Sequence, residues 1–179
     1  MRVMGVSGLP GSGKSLVSEI AIEKGAMILS MGDIIREEAK KRNEPTKETA
    51  KNLRKEYGDY IVAELTIKKI KKILDKGFEN SIIIEGIRSP YEVKLFRQNF
   101  KDFIILSIFA NPDLRFERIK SRQREDDTTN YDEFVGRDER ELKFGMGTVI
   151  SLSNKIIINE GTVESYTEKI NEFLEEYNI

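Results

Sequence analysis

The sequence predicts a doubly wound α/β fold, in which a parallel sheet carries helices on both faces. Three observations predict it. Short apolar runs at residues 2–6, 26–29, 81–84, 103–109 and 155–158 lack polar alternation, as strands buried on both faces do. Longer helical stretches lie between them, and alternation of this kind builds parallel sheets. A glycine-rich segment directly follows the first run, at the carboxyl edge where such sheets bind ligands.

In chain order, the run 2–6 leads through the glycine segment into a helix over 14–24. Strand 26–29 precedes a helix over 33–42 and one long helical segment from 46 to 76. Strand 81–84 is followed by helix 90–99, strand 103–109 by helices 112–122 and 131–144, and strand 155–158 by a closing helix over 163–177. Pro90 and Pro112 each stand in the first turn of a helix, where a missing amide costs nothing. Lys68, Lys69, Lys71 and Lys72 read as a solvated helix face, because no aromatic side chain is interleaved with them as single-strand binding favours.

A chain of 179 residues, 39% hydrophobic and 34% charged, suits one domain over 1–179 with a real core. The formal net charge of -1 argues against nucleic-acid or acidic-membrane partners. Cysteine and histidine are absent, which excludes disulfides, thiolate or imidazole metal sites, Cys and Ser/His nucleophilic mechanisms and histidine proton transfer. No apolar run approaches the roughly 20 residues of a membrane span, and Met1 to Ser7 leads straight into the motif, so a cytoplasmic protein is expected.

Gly8, Leu9, Pro10, Gly11, Ser12, Gly13, Lys14 and Ser15 fit GxxxxGK[ST], between a strand and a helix as a P-loop requires. Glycines let the backbone turn tightly, so the amides of residues 11–15 are expected to face phosphate oxygens, with the helix dipole adding to the anion site. Lys14 should reach the β and γ phosphates of ATP, and Ser15 should place its hydroxyl on Mg²⁺. Two further strands end in arginine-bearing segments: Ser30, Met31, Gly32, Asp33, Ile34, Ile35, Arg36 and Glu85, Gly86, Ile87, Arg88. A guanidinium grips phosphate in bidentate fashion, so Arg36 and Arg88 are candidates to hold an acceptor near the cradle. Asp33 either joins that site or caps its helix, and Glu85 either orders the water shell of Mg²⁺ or simply reaches solvent from the core.

These residues resemble the adenylate kinase group of nucleoside monophosphate kinases. GLPGSGKS is similar to that family's GxPGSGK, SMGDIIR to its SxGDxxR, and EGIR to its DGxxR. The resemblance implies a three-layer P-loop kinase fold with a five-stranded parallel sheet, a helical acceptor-binding insertion over about 33–76 and a short lid over about 118–130. It implies that Arg36 and Arg88 grip the acceptor phosphate, and that Arg118, Arg122, Arg124 and Arg137 act as lid arginines that stabilise charge on the transferring phosphoryl group. Ile158, Asn159, Glu160, Gly161 and Thr162 resemble the loop that packs on the donor base. Where adenylate kinase has an adenine-reading glutamine this chain has Glu92, Glu85 replaces the usual aspartate, and no cysteine is available for a lid zinc. The expected activity is transfer of the γ-phosphoryl of ATP, with Mg²⁺, to a nucleotide-like small acceptor. A dephosphocoenzyme A kinase-like role, a regulatory or assembly ATPase, and a binding module without turnover are the alternatives.

Overall fold

The computed structural model describes residues 2–122 and 127–179. Its elements are β1 (Val3–Ser7), α1 (Lys14–Glu23), β2 (Met27–Ser30), α2 (Met31–Arg42), α3 (Thr46–Tyr57), α4 (Ile61–Asp75) and β3 (Ile82–Glu85), then α5 (Pro90–Asn99), β4 (Ile104–Phe109), α6 (Pro112–Arg122), α7 (Tyr131–Phe144), α8 (Met146–Ser151), β5 (Lys155–Ile158) and α9 (Val163–Glu176). The strands pair in the order β2-β3-β1-β4-β5, and every pairing is parallel.

The period of two along each strand divides the core into two layers. Met4, Val6, Ile83 and Leu106 pack with Val17 of α1 and with Ile170 and Phe173 of α9. Val3, Ile82, Ile84 and Ile105 pack on the other side with Ile70 of α4, Phe96 of α5 and Val149 of α8. The sequence thus specifies a three-layer α/β fold because nearly every strand residue is apolar, whichever way it points. The chain leaves β1 toward β2 and leaves β4 toward β5, so a crevice opens at the carboxyl ends of β1 and β4, where such sheets take ligands.

Three local expectations are corrected. The segment 46–76 is two helices, because Gly58 at φ 100 closes α3 and α4 starts at Ile61. The helix expected from residue 33 starts at Met31, directly after β2, which places Asp33 within the first turn and not at the cap. The helix α8 was not expected at all: its glycine-flanked residues give little helical signal, yet Met146 and Val149 are buried. Among the described residues no helix is long and apolar enough to cross a membrane.

Candidate active site

The cradle forms between β1 and α1, where glycines permit conformations closed to other residues. Gly11 and Gly13 have φ 79 and 102, and a Cβ on either would meet a wall: the Arg115 carbonyl at 2.6 Å and the Asn159 side-chain amide at 2.3 Å. The loop is fastened from outside. The Asn159 side-chain amide donates to the Ser12 carbonyl (2.9 Å), the Tyr166 hydroxyl donates to the Gly13 carbonyl (3.0 Å), and Arg115 donates to the Pro10 carbonyl (3.1 Å). Burial pushes the Tyr166 hydroxyl pKa up, which keeps it a donor. The amide of Ser12 donates to the Leu9 carbonyl (3.2 Å), which removes it from the amides expected to face phosphate. The Ser12 hydroxyl is fully buried and has no partner among the described residues.

Lys14 turns back over the loop, donating to the carbonyls of Gly8 (2.6 Å) and Leu9 (3.0 Å). Its pKa is pushed down to about 8, chiefly by burial. Glu85 and then Glu141 oppose that shift, while the nearby charges of Arg122 and Arg115 add to it. Four side chains from β3, α6 and α7 therefore gather around the cradle lysine. Glu85 accepts a hydrogen bond from the Ser18 hydroxyl, which fixes the carboxylate at the carboxyl end of β3. Ser15 is exposed in the first turn of α1.

Arg88 follows β3. Its guanidinium pairs with Glu141 at 3.1 Å, and its side chain is 51% exposed. Glu92, at the position matching the base-reading glutamine, completes a capping box for α5: one carboxylate oxygen accepts from the amides of Arg88 (2.8 Å) and Ser89 (3.1 Å). Burial is the main cause holding its pKa above the usual carboxylate range. Arg36 closes on Asp33, whose carboxylate accepts from its Nε at 2.9 Å, and both line a groove with Lys40 and Lys69.

On α6, Arg118 donates to the Asn159 carbonyl (3.0 Å), while its Nη1 is buried without a partner among the described residues. Arg122 forks onto Asp127 at 2.7 and 2.8 Å, and Arg137 lies 4.0 Å from the same carboxylate. Arg124 lies outside the described residues. Gly161 has open space beside it, and the part of its loop that touches the cradle is Asn159.

Sequence reasoning missed Arg115, Asp138 and Glu141. Arg115, 2% exposed, forks onto Asp138 of α7 and donates to the Ala110 carbonyl, so it joins α6, α7 and the cradle. The spacing of Arg137 and Glu141 by one helical turn was a usable signal that both face one way.

The residues fit ATP and Mg²⁺. The orphaned Ser12 hydroxyl and Arg118 Nη1 lie in and beside the cradle, and Ser15 and Glu85 carry hard oxygens of the kind Mg²⁺ takes beside phosphates. P-loop kinase folds generally use both.

Comparison with known proteins bears on the family and the fold. An AAA domain family model matches residues 7–134. A UPF0200 protein of Methanothermobacter thermautotrophicus is 50% identical over 163 residues, covering 91% of this chain and 84% of the relative. The fold matches a sugar kinase from Janibacter sp. with a TM-score of 0.69, covering 98% of this chain and 95% of that one at 13% identity. It matches shikimate kinase from Bacteroides thetaiotaomicron with a TM-score of 0.63, covering 97% and 98% at 18% identity. On the cradle and these matches this is a P-loop protein with a kinase-like fold, and the chain belongs to the AAA domain family and to the UPF0200 family.

Proposed function

We propose that the protein transfers the γ-phosphoryl of ATP to a small, nucleotide-like anionic acceptor. One observation carries the reading. Lys14 of the phosphate cradle and Arg88 of the neighbouring strand end are linked through Glu141, which pairs with the arginine and acts on the charge of the lysine. A triphosphate held by the first and an anionic acceptor held by the second would meet in one crevice, which is the alignment phosphoryl transfer requires. Mg²⁺, held through Ser15 and the water shell ordered by Glu85, would neutralise charge on the β and γ phosphates. Arg118, Arg122 and Arg137 border the same crevice and supply positive charge toward the transferring group. Asp33 and Arg36 stand at the mouth of the helical excursion α2–α4, on the acceptor side. The names of two fold neighbours, a shikimate kinase and a sugar kinase, place them in the same reaction class. A cytoplasmic setting, which supplies ATP and Mg²⁺, belongs to this reading.

The test is ADP release with Mg·ATP and a panel of acceptors including dephosphocoenzyme A and the nucleoside monophosphates. Turnover should rise with the right acceptor, and a rate indifferent to every acceptor refutes transfer. Arg88→Ala removes a charged hydrogen-bonding group worth about 1.5–3 kcal/mol, so acceptor-dependent kcat/KM should fall roughly 10- to 100-fold while ATP affinity holds. The second reading, a regulatory or assembly ATPase, draws on the AAA domain match. It requires slow acceptor-independent hydrolysis together with ATP-dependent retention of a protein partner.

A further inference from the structure

Glu141 holds more than Arg88 requires. It projects from α7 with its side chain 12% exposed, and Oε1 takes the Arg88 guanidinium at 3.1 Å. Oε2 is buried and receives no hydrogen bond among the described residues. A carboxylate oxygen removed from water without a donor is costly, so the site is built for a donor that the protein does not provide. The location narrows the choice, since Glu141 pairs with the acceptor-side arginine and its charge acts on the cradle lysine.

We infer that Glu141 is the general base of the reaction, and that the acceptor is attacked through a hydroxyl group while a separate anionic substituent rests on Arg88. This rests on the phosphotransfer reading above and names its substrate class. The phosphate oxygen of a nucleoside monophosphate carries negative charge and has no proton to donate at high pH, so Glu141 would repel it. An alcohol donates to Oε2. Arg88 has donors beyond the one that meets Oε1, and half its side chain is open to a phosphate or carboxylate. In the reaction, the alcohol oxygen bonds to the γ-phosphorus as the bond from phosphorus to the bridging oxygen of ADP breaks. The hydroxyl proton passes to Glu141 Oε2 and then to solvent, and ADP leaves.

Two measurements on the full chain test this. The first incubates it with Mg·ATP and, separately, dephosphocoenzyme A, glycerol 3-phosphate, shikimate, AMP, CMP, GMP and UMP, with products assigned by phosphorus NMR. A phosphomonoester at a former hydroxyl supports the inference. A phosphoanhydride, formed on the phosphate of a monophosphate, overturns it while leaving the phosphotransfer reading intact. The second uses water as the smallest hydroxyl acceptor and compares acceptor-free ATP hydrolysis by the wild type and Glu141→Gln, each checked by thermal melting. Loss of about 10²- to 10⁴-fold in kcat with unchanged KM for ATP is expected of a lost base. A folded Glu141→Gln that hydrolyses ATP at the wild-type rate shows Glu141 to be only the counter-ion of Arg88. Wild-type protein whose ATP turnover no member of the panel raises removes the phosphotransfer reading itself, whether or not water is attacked, and this inference with it.

Discussion

Binding of ATP should draw protons out of solution, because the free protein holds Lys14 in a state that the triphosphate reverses. With a pKa of about 8, roughly 0.1 of the lysines are neutral at pH 7, about 0.5 at pH 8 and about 0.9 at pH 9. Phosphate oxygens replacing the Gly8 and Leu9 carbonyls would favour the charged form and return the pKa to at least the ordinary lysine value of about 10.4. Uptake per ATP should then equal those fractions: about 0.5 proton at pH 8 and about 0.9 at pH 9. Titration calorimetry with Mg·ATP in buffers of different ionisation enthalpy reads this number as the slope of heat against buffer enthalpy. Above pH 8 the γ-phosphate has lost its own proton, with a pKa near ~6, and does not contribute. Lys14→Met should abolish the slope. A zero slope at both pH 8 and pH 9 would mean that the lysine is already charged, and the account of a desolvated cradle ammonium would be refuted. The sign for stability follows from the same shift. Between pH about 8 and 10.5 the unfolded chain holds a proton that the folded one lacks, so folding strengthens as pH rises through that window. The full difference corresponds to about 3 kcal/mol, present as a penalty below pH 8 where both states are protonated.

Two further perturbations address the fastening of the cradle. Arg115→Ala leaves Asp138 as an uncompensated charge at 13% side-chain exposure, and should cost about 3–5 kcal/mol in urea unfolding; a loss below about 1 kcal/mol would show that the pair is not structural. Tyr166→Phe removes the hydrogen bond to the Gly13 carbonyl and should cost about 1 kcal/mol of stability. It should also weaken ATP binding without changing acceptor KM, and unaltered ATP affinity by calorimetry would detach Tyr166 from the cradle's shape.

The parts of the molecule readable from sequence are those written in short windows. Ile82, Ile83 and Ile84 announce a strand buried on both faces because three consecutive apolar residues leave no polar side, and they pack into both core layers as that pattern demands. The cradle is readable because its glycines, Lys14 and Ser15 occupy fixed positions within eight residues. Arg115 and Asp138 are 23 positions apart, and Arg88 lies in the β3–α5 connection while Glu141 is on α7; such pairs are decided by how helices land on the sheet, which local pattern does not encode. Gly58 illustrates the middle case. A single glycine in a helical pattern costs about 1 kcal/mol and is often tolerated, so the break between α3 and α4 depended on its positive φ, which only the structure displays. Glu92 shows what a matching position leaves out: Ser89 makes it a capping partner of α5, a role set by the helix start and not by the aligned glutamine.

The supports of the glycine loop come from widely separated stretches of chain. Arg115 belongs to α6, whereas Asn159 and Tyr166 lie past residue 134, where the family match ends. The nucleotide cradle is therefore encoded in residues 8–15 yet completed by Asn159 and Tyr166, 147 and 153 positions beyond the loop residues they hold. During synthesis the loop would be made well before its braces, so a nascent chain cannot present a finished triphosphate site until β5 and the start of α9 have been translated.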